Sequence, residues 1–540
     1  MQIFLLRELP LFFSNEEEGK RLDDPGKFSS FFGAGAMNGD CESVNTINSS
    51  IEPDDATGYW GETVFVVILG TVVILVLSWQ SLGTPFFAEN FQYMGQFRAA
   101  DNFFEAVFLP TPDGWYKPVD KFVSILSHEL LPQSPIAFGL RNLFTSILIM
   151  TVLHRFALRL SDKPFYRILP VLYFASSRVH LSAIGYYNLM GTLLMLLFLL
   201  SGLLILWSSL QEGSKEKFAA SCVLLGLGMF SKETCLVALP AVVGLLMVVP
   251  GKPEKFNEIL RWIAIRAAPA AALVLLLLLA RKVKTGHMLP VSPVYAPRFE
   301  FDILKRNLFV FSTSLSNISL IEPGATGVGG IGFLLQSQFP NQGWVRCIDP
   351  VIAFLVPLFF ILLIFQTNNR RRLVFPLLWA AASFVIHLTT RNLQLYYTYD
   401  LLLAASLVLV ITLQDSGRVL RAAAVLIVLV AFTNSKISNQ YSTYNWQYVA
   451  QHSEDVVKEV KVHCKEDPVS KLIFITQDKS FWSYTLGGGM IPELVKEPEM
   501  EVDFYTPDGL DELDECTDDV QYYDLDCGEW IEVTDQTGPD

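Results

Sequence analysis

From Thr63 to Phe432 the chain alternates long apolar runs with short polar loops. A helix that crosses a bilayer needs about 20 apolar residues, with a range of roughly 17–25. On this pattern eleven spans are expected. They are Thr63–Trp79, Ile136–Leu153, Val171–Ile184, Asn188–Trp207, Phe218–Phe230, Leu236–Val249, Ile263–Ala280, Ile352–Phe365, Val374–Leu388, Leu401–Leu413 and a last one around Val425–Phe432.

The basic residues fall in alternate loops. Arg155, Arg159, Lys163 and Arg167 lie in one, Lys215 and Lys217 in the next, then Lys252, Lys255, Arg261 and Arg266, then Arg370, Arg371 and Arg372, then Arg418 and Arg421. Cytoplasmic loops carry an excess of Lys and Arg. The N-terminus is therefore expected inside and the C-terminus outside. Arg281, Lys282 and Lys284 break the rule by falling on the outer side. Such residues either snorkel at a helix end or meet a lipid phosphate.

Beyond Phe432 the pattern changes. Asn445–His463 reads as an amphipathic helix, and Lys471–Thr476, Glu501–Tyr505, Val520–Leu525 and Trp530–Val533 read as short strands. The expected fold is a polytopic α-helical membrane protein of about eleven transmembrane helices with a small α/β module at its outer C-terminus. Its expected parts are a mostly disordered cytoplasmic segment 1–62, a membrane domain 63–433 with a first outer loop 81–135, and the module 434–540. Met1–Leu6 has no positive region before it and too short an apolar run for a signal peptide.

Composition agrees with the membrane reading. Hydrophobic residues make up 51% of the 540 positions and charged ones only 17%, against about 25% charged in soluble domains. The net charge of −14 is concentrated toward the two ends of the chain. No dense basic patch suggests nucleic acid as a partner. The seven cysteines contain no CxxC pair, so a zinc or redox site has no support. Cys516 and Cys527 would form a disulfide only if the tail is exported.

Candidate chemistry collects on the expected outer side. The loop Phe86–Val119 is polar and aromatic and carries an early acid, Glu89. A carboxylate at the membrane surface suits a general base for an acceptor hydroxyl, or a ligand for a divalent cation. Asp101 is the second acid of that loop, and both read equally as ordinary solvated acids. Lys117, held between Tyr116 and Pro118, suits a phosphate or, more plainly, an interfacial anchor. Ser231-Lys232-Glu233-Thr234 interrupts two apolar runs, and ionisable residues there are functional candidates by default. Arg391, Tyr396, Tyr397 and Tyr399 lie in the last outer loop. The arginine suits a phosphate, and the tyrosines suit a sugar, a prenyl chain or an aromatic belt.

In order along the chain, Glu89-Asn90, Tyr116-Lys117-Pro118-Val119, Ser231-Lys232-Glu233-Thr234 and Arg391 with Tyr396-Tyr397 resemble motifs of the GT-C superfamily. Its members include dolichyl-phosphate-mannose protein mannosyltransferases and lipid A aminoarabinose transferases. Relatives often carry paired acids where this chain has Glu89-Asn90, and Arg where it has Lys117. The resemblance covers roughly residues 63–435. It implies inverting transfer of a sugar from a polyprenyl-phosphate donor to a lipid, glycan or protein acceptor at the extracytoplasmic face. Glu89, or alternatively Asp101, would be the base. Tyr116, Lys117, Lys232, Glu233, Arg391 and Tyr397 would bind substrate. The paired-acid change leaves a divalent cation as an open role. A bacterial inner membrane and the endoplasmic reticulum both fit, and a transporter, a flippase and an inactive relative are the competing readings.

Overall fold

A computed structural model of the chain describes residues 56–86, 89–111, 115–132, 134–249, 252–253, 255–288, 299–318, 330–339, 342–388, 390, 395–466, 470–477, 479–486, 491, 500–507, 520–526 and 528–531. The expectations for residues 1–55, the Cys516–Cys527 pair and Arg391 fall outside these residues.

The chain enters the membrane domain through α1 (Ala56–Ser78). The loop that follows is itself helical, with α2 (Glu89–Ala99), α3 (Phe103–Phe108) and α4 (Pro118–Leu130). Next come α5 (Pro135–Leu160), α6 (Pro164–Ala175), α7 (Val179–Gly185), α8 (Met190–Glu212), α9 (Lys215–Ser231), α10 (Ala238–Val248) and α11 (Phe256–Thr285). The second half holds α12 (Phe301–Ser316), α13 (Ile331–Gln338), α14 (Ile348–Gln366), α15 (Arg370–Leu388), α16 (Tyr399–Thr412) and α17 (Arg418–Glu466). Local chemistry sets many of these ends. Proline stands at the first position of α4, α5 and α6, where its missing N–H costs nothing. Gly213 closes α8 at φ 68°, a left-handed cap that glycine adopts without strain.

The chain is a polytopic helical membrane protein. All eleven expected spans fall on helical segments, one of them, Val171–Ile184, divided between α6 and α7. Seven described helices are long and apolar enough to cross a membrane, and an eighth results if the bent pair α6–α7 is one span. That pair is bent by 56°. The 3-10 turn Glu233–Val237 together with α10, and α16 alone, are shorter apolar helices. They are also among the more deeply buried: all fourteen residues of α16 are inside the protein, so its length is set by packing rather than by lipid.

The two ends of the bundle differ in chemistry. At one end Glu62 of α1 sits between His154 of α5 (3.2 Å) and Arg167 of α6 (2.5 Å). Asp415 accepts hydrogen bonds there from the Thr367 hydroxyl (2.8 Å) and the Asn368 amide (3.1 Å). The loops rich in Lys and Arg lie at this end. The opposite end carries α2–α4 and the Ser231–Thr234 turn.

The last expected span and the amphipathic helix after it form one 49-residue helix, α17. Its middle is tied to the bundle by polar side chains. The Asn434 amide donates to Ser316 O (3.0 Å), the Ser435 hydroxyl to Ser176 O (2.6 Å) and the Asn439 amide to Leu77 O (3.1 Å). The helix is roughly 74 Å long at 1.5 Å per residue, and its far half leaves the bundle and carries the C-terminal module. There Val456, Val460 and Cys464 pack on Leu472, Phe474, Phe504 and Tyr523. The sheet has β1 (Lys471–Ile475), β2 (Glu501–Tyr505), β3 (Val520–Asp524) and β4 (Glu529–Ile531) in the order β2-β1-β3-β4. β1 is parallel to β2 and β3, and β4 is antiparallel to β3. All four strands stand where the alternation placed them. The short helix Lys479–Thr485, α18, follows β1.

Asn317 belongs to an Asn-Ile-Ser sequon but is fully buried, with a left-handed φ of 54°. Its side-chain oxygen accepts from the Arg178 amide at 3.3 Å. It caps α12 and is not presented to a glycosylating enzyme.

Candidate active site

Thr111 and Trp115 close a turn in the first loop, with Thr111 N donating to Trp115 O and Trp115 N to Thr111 Oγ1, both at 2.9 Å. Tyr116 then enters the bundle and is buried. Its amide donates to Glu233 Oε1 at 2.7 Å. Glu233 also pairs with the buried Arg281 at the end of α11, whose guanidinium lies 5.8 Å from the centre of the Trp115 ring. One carboxylate thus fastens the loop to two helix ends. Arg281, which broke the positive-inside pattern, is therefore neither snorkelling nor free, whereas Lys282 and Lys284 are exposed.

Pro118 starts α4 directly after this clamp, and the first turn of α4 carries Asp120 and Lys121 inward. Both are buried, at 1% and 0% exposure. Asp120 is the centre of the site. Lys117 Nζ lies 4.0 Å from its Oδ2, and Ser124 Oγ is 3.5 Å from its Oδ1. Burial raises the Asp120 carboxyl above the usual range, and the charges of Lys117, Arg141, Lys232 and Lys121 pull it back. A buried charge is tolerated only when paired; Lys117 is 4.0 Å from this carboxylate, and the charges of Arg141 of α5, Lys232 of the α9–α10 turn and Lys121 of α4 also act on it.

The close approach depends on Gly191, in the first turn of α8. A Cβ at this position would lie 2.7 Å from Asp120 Cγ and Oδ2 and 2.9 Å from Ser231 O. Gly191→Ala is expected to displace Asp120 and cost about 1–3 kcal/mol through overpacking, read as a lowered unfolding midpoint of the purified protein. An unchanged midpoint would show that α4 is not seated on α8.

The cations have distinct settings. Lys117 Nζ donates to the Tyr93 hydroxyl at 3.0 Å and lies over the Tyr93 and Trp115 rings. Lys232 Nζ donates to Thr192 Oγ1 at 2.5 Å and lies 4.6 Å from the Tyr397 ring centre. Lys121 Nζ donates to Gln96 Oε1 (3.2 Å) and to Leu109 O (2.5 Å). Burial, with Lys117 adding repulsion and Asp120 opposing it, pushes Lys121 down to about 7. Behind Lys232, the Tyr397 ring meets His387, whose Nε2 is 3.9 Å from the fully buried Asp400.

Beside this cluster opens a cavity lined by Phe86, Tyr93, Met94, Phe97, Ser124, His128, Phe138, Arg141, Tyr187 and Asn188. It shares Tyr93 with Lys117 and Ser124 with Asp120.

The structure therefore gathers Tyr116, Lys117, Lys232, Glu233 and Tyr397 at one end of the bundle. Glu89 begins α2, and its side chain lies outside the described ones. Asp101 is exposed, at the start of the short helix α3, with its amide bonded to Glu105 Oε2 (3.2 Å). Sequence reasoning missed Asp120, Lys121, Arg141 and Gly191. The signal for the first two was an acid and a base in the first turn of an amphipathic helix opened by Pro118. Nothing in the sequence marked Gly191.

Among the described residues no three His, Cys, Asp or Glu side chains come together as a metal site. The surroundings of Asp120 do not fit a divalent cation, because four positive side chains already face it.

No protein-family model matches the chain, and no curated protein matches it. Solved structures do. The chain is similar to the crystal structure of ArnT from Cupriavidus metallidurans bound to undecaprenyl phosphate, with a TM-score of 0.47 and 12% identity over 83% of this chain and 86% of that one. It is similar to the oligosaccharyltransferase of Archaeoglobus fulgidus in the apo form, with a TM-score of 0.46 and 11% identity over 83% of this chain and 65% of that one. The same enzyme in complex with zinc and sulfate gives a TM-score of 0.44 and 10% identity over 82% and 62%. The aminoarabinose transferase and the oligosaccharyltransferase are GT-C superfamily members, and at these identities the likeness concerns the course of the helices.

Proposed function

We propose that the protein is a membrane glycosyltransferase that moves a sugar from a polyprenyl-phosphate donor to an acceptor hydroxyl on a lipid, glycan or protein. The observation that carries this reading is the buried Asp120 with Lys117 at 4.0 Å and the charges of Lys121, Arg141 and Lys232 acting on it, at one end of a membrane bundle. A phosphate at the head of a lipid needs such a site: cationic, shielded from water and level with the end of apolar helices. The loops rich in Lys and Arg lie at the other end, which by the positive-inside rule supports an extracytoplasmic site.

In the reaction the bond from the anomeric carbon to the phosphate oxygen breaks. Its electron pair leaves on the phosphate, and the acceptor oxygen bonds to that carbon from the opposite side. The acceptor proton passes to a carboxylate, for which Glu89 at the start of α2 is the candidate and Asp101 the alternate. Lys117 and Lys232, with Arg391 of the last outer loop, stabilise the negative charge that grows on the leaving phosphate. Such preorganised charge is generally a large contribution to catalysis. Tyr116 and Tyr397 shape the site, and Glu233 holds the loop in place.

The pH response tests the phosphate site. As pH rises through about 7, Lys121 loses its proton and the site loses positive charge. Affinity of the purified protein for a polyprenyl phosphosugar, a diester whose own charge does not change in this range, is expected to fall several-fold between pH 6 and pH 8, and Lys121→Met is expected to flatten that dependence. Affinity that rises over this interval, or a slope that survives in the variant, would move the phosphate away from Asp120 and Lys121.

A further inference from the structure

At the end of the bundle opposite Asp120, three cations gather that the reaction does not use. Lys163 stands just before α6, Arg372 in the first turn of α15 and Arg421 in the first turn of α17. A chain of contacts joins them. Lys163 Nζ lies 5.8 Å, and the Arg421 guanidinium 5.2 Å, from the centre of the Tyr166 ring. Arg421 Nη2 donates to Gln414 O at 3.3 Å, and Gln414 Nε2 donates to Leu160 O at 2.8 Å. The same carbonyl accepts from Arg372 Nη1 at 3.3 Å. Ends of α5, α6, α15 and α17 therefore meet at this point.

The protein supplies these cations with no anion. Among the described residues none of the three is in an ion pair. Carboxylates at this end are engaged or stand in solvent. Glu62 holds His154 and Arg167, Asp415 Oδ2 accepts from Thr367, Asn368 and Asn369, and Asp162 is exposed. Arg421 Nε is buried without a hydrogen-bond partner, so the protein meets only part of the donor capacity of that guanidinium. The cluster also borders lipid. Phe165, next to Tyr166, and Val419, two residues before Arg421, are apolar and 44% and 81% exposed.

We propose that Lys163, Arg372 and Arg421 bind the phosphate of an anionic phospholipid headgroup in the leaflet at this end. Basic pockets between transmembrane helices are suited to such headgroups. The arginines offer planar, paired donors to phosphate oxygens, and Lys163 adds a third positive charge. Phe165 and Val419 lie where the acyl chains begin. One lipid seated here ties α17, which carries the C-terminal module, to α5, α6 and α15. The site stands apart from the glycosyl-transfer reading, because its cations lie at the other end of the bundle.

The test is native mass spectrometry of the full purified chain, titrated with phosphatidylglycerol or phosphatidylcholine, together with its unfolding midpoint. Wild type is expected to retain one phosphatidylglycerol in preference to phosphatidylcholine and to unfold at a higher temperature with it. Arg421→Gln is expected to weaken that lipid about tenfold and to lose the rise in midpoint. Lys163→Gln, at an exposed residue, is expected to weaken it several-fold and decides the matter if Arg421→Gln does not fold. Arg261→Gln removes the same charge from an exposed residue of α11 at the same end and is expected to change binding by less than about twofold. Equal losses in all three variants would reduce the site to general attraction between basic loops and anionic lipid, and so overturn it. A retained lipid that is lost in Lys232→Met but kept in Arg421→Gln would place it at the Asp120 end instead. Inorganic phosphate that raises the midpoint as much as phosphatidylglycerol would overturn the lipid as occupant.

Discussion

Lys232→Met is expected to lower sugar transfer at saturating donor by at least about 100-fold while the protein still inserts in normal amount. Losing one preorganised group that stabilises developing charge typically costs 10²–10³ in rate. Lys232 is placed for that role by its neighbours. Its ammonium is held by Thr192 of α8 and lies on the Tyr397 ring. Because the charge on the phosphate is larger in the transition state than in the bound donor, the loss should fall on kcat more than on KM. A variant with unchanged kcat and a raised KM would make Lys232 a binding group only. A variant with full activity would remove it from the reaction.

Asp120→Ala is expected to be the most destabilising single change at the site, by about 3–5 kcal/mol. The reason is not the loss of one ion pair. The substitution leaves four cations facing a cavity where their common anion stood, and one of them, Lys121, is fully buried. Unfolding of the purified protein, followed by loss of helical signal in a denaturing detergent, measures this directly. A second variant separates the explanations. Asp120→Ala combined with Lys121→Met removes the most buried of the four charges, and it should recover part of the loss. If the double variant is no better than Asp120→Ala, the cost arises from packing against Gly191 and not from charge.

The membrane fold was legible because apolar runs of this length have few alternatives, and each of the eleven runs is helical, although Val171–Ile184 is broken between α6 and α7. What the runs did not show was depth. α16 and α10 are short because protein surrounds them, and hydropathy cannot distinguish a buried helix from a lipid-facing one. The continuity of α17 was hidden for the opposite reason. Its polar middle, Asn434 to Asn439, reads as the end of a span, yet those side chains bond to carbonyls of α1, α12 and the α6–α7 bend.

At the site, sequence motifs led to the right neighbourhood and stopped one turn short. Tyr116, Lys117, Lys232 and Glu233 stand out because they interrupt apolar or aromatic stretches. Asp120 and Lys121 do not, since an adjacent acid and base at a helix start read as a solvated first turn. Only the packing of α4 on Gly191 turns them inward, and that contact joins residues far apart in the chain. Arg141 was hidden by its place at the start of an apolar run, where an arginine reads as an anchor.

The central claim is that the bond between sugar and polyprenyl phosphate is broken here. The most direct measurement reconstitutes the purified wild-type protein in liposomes with a polyprenyl-phosphate donor labelled in the sugar, together with a pool of glycan, lipid and peptide acceptors. The account predicts that label moves to an acceptor while free polyprenyl phosphate accumulates in equal amount. Donor that stays intact across the acceptor pool, or that crosses the bilayer with its sugar still attached, would contradict it.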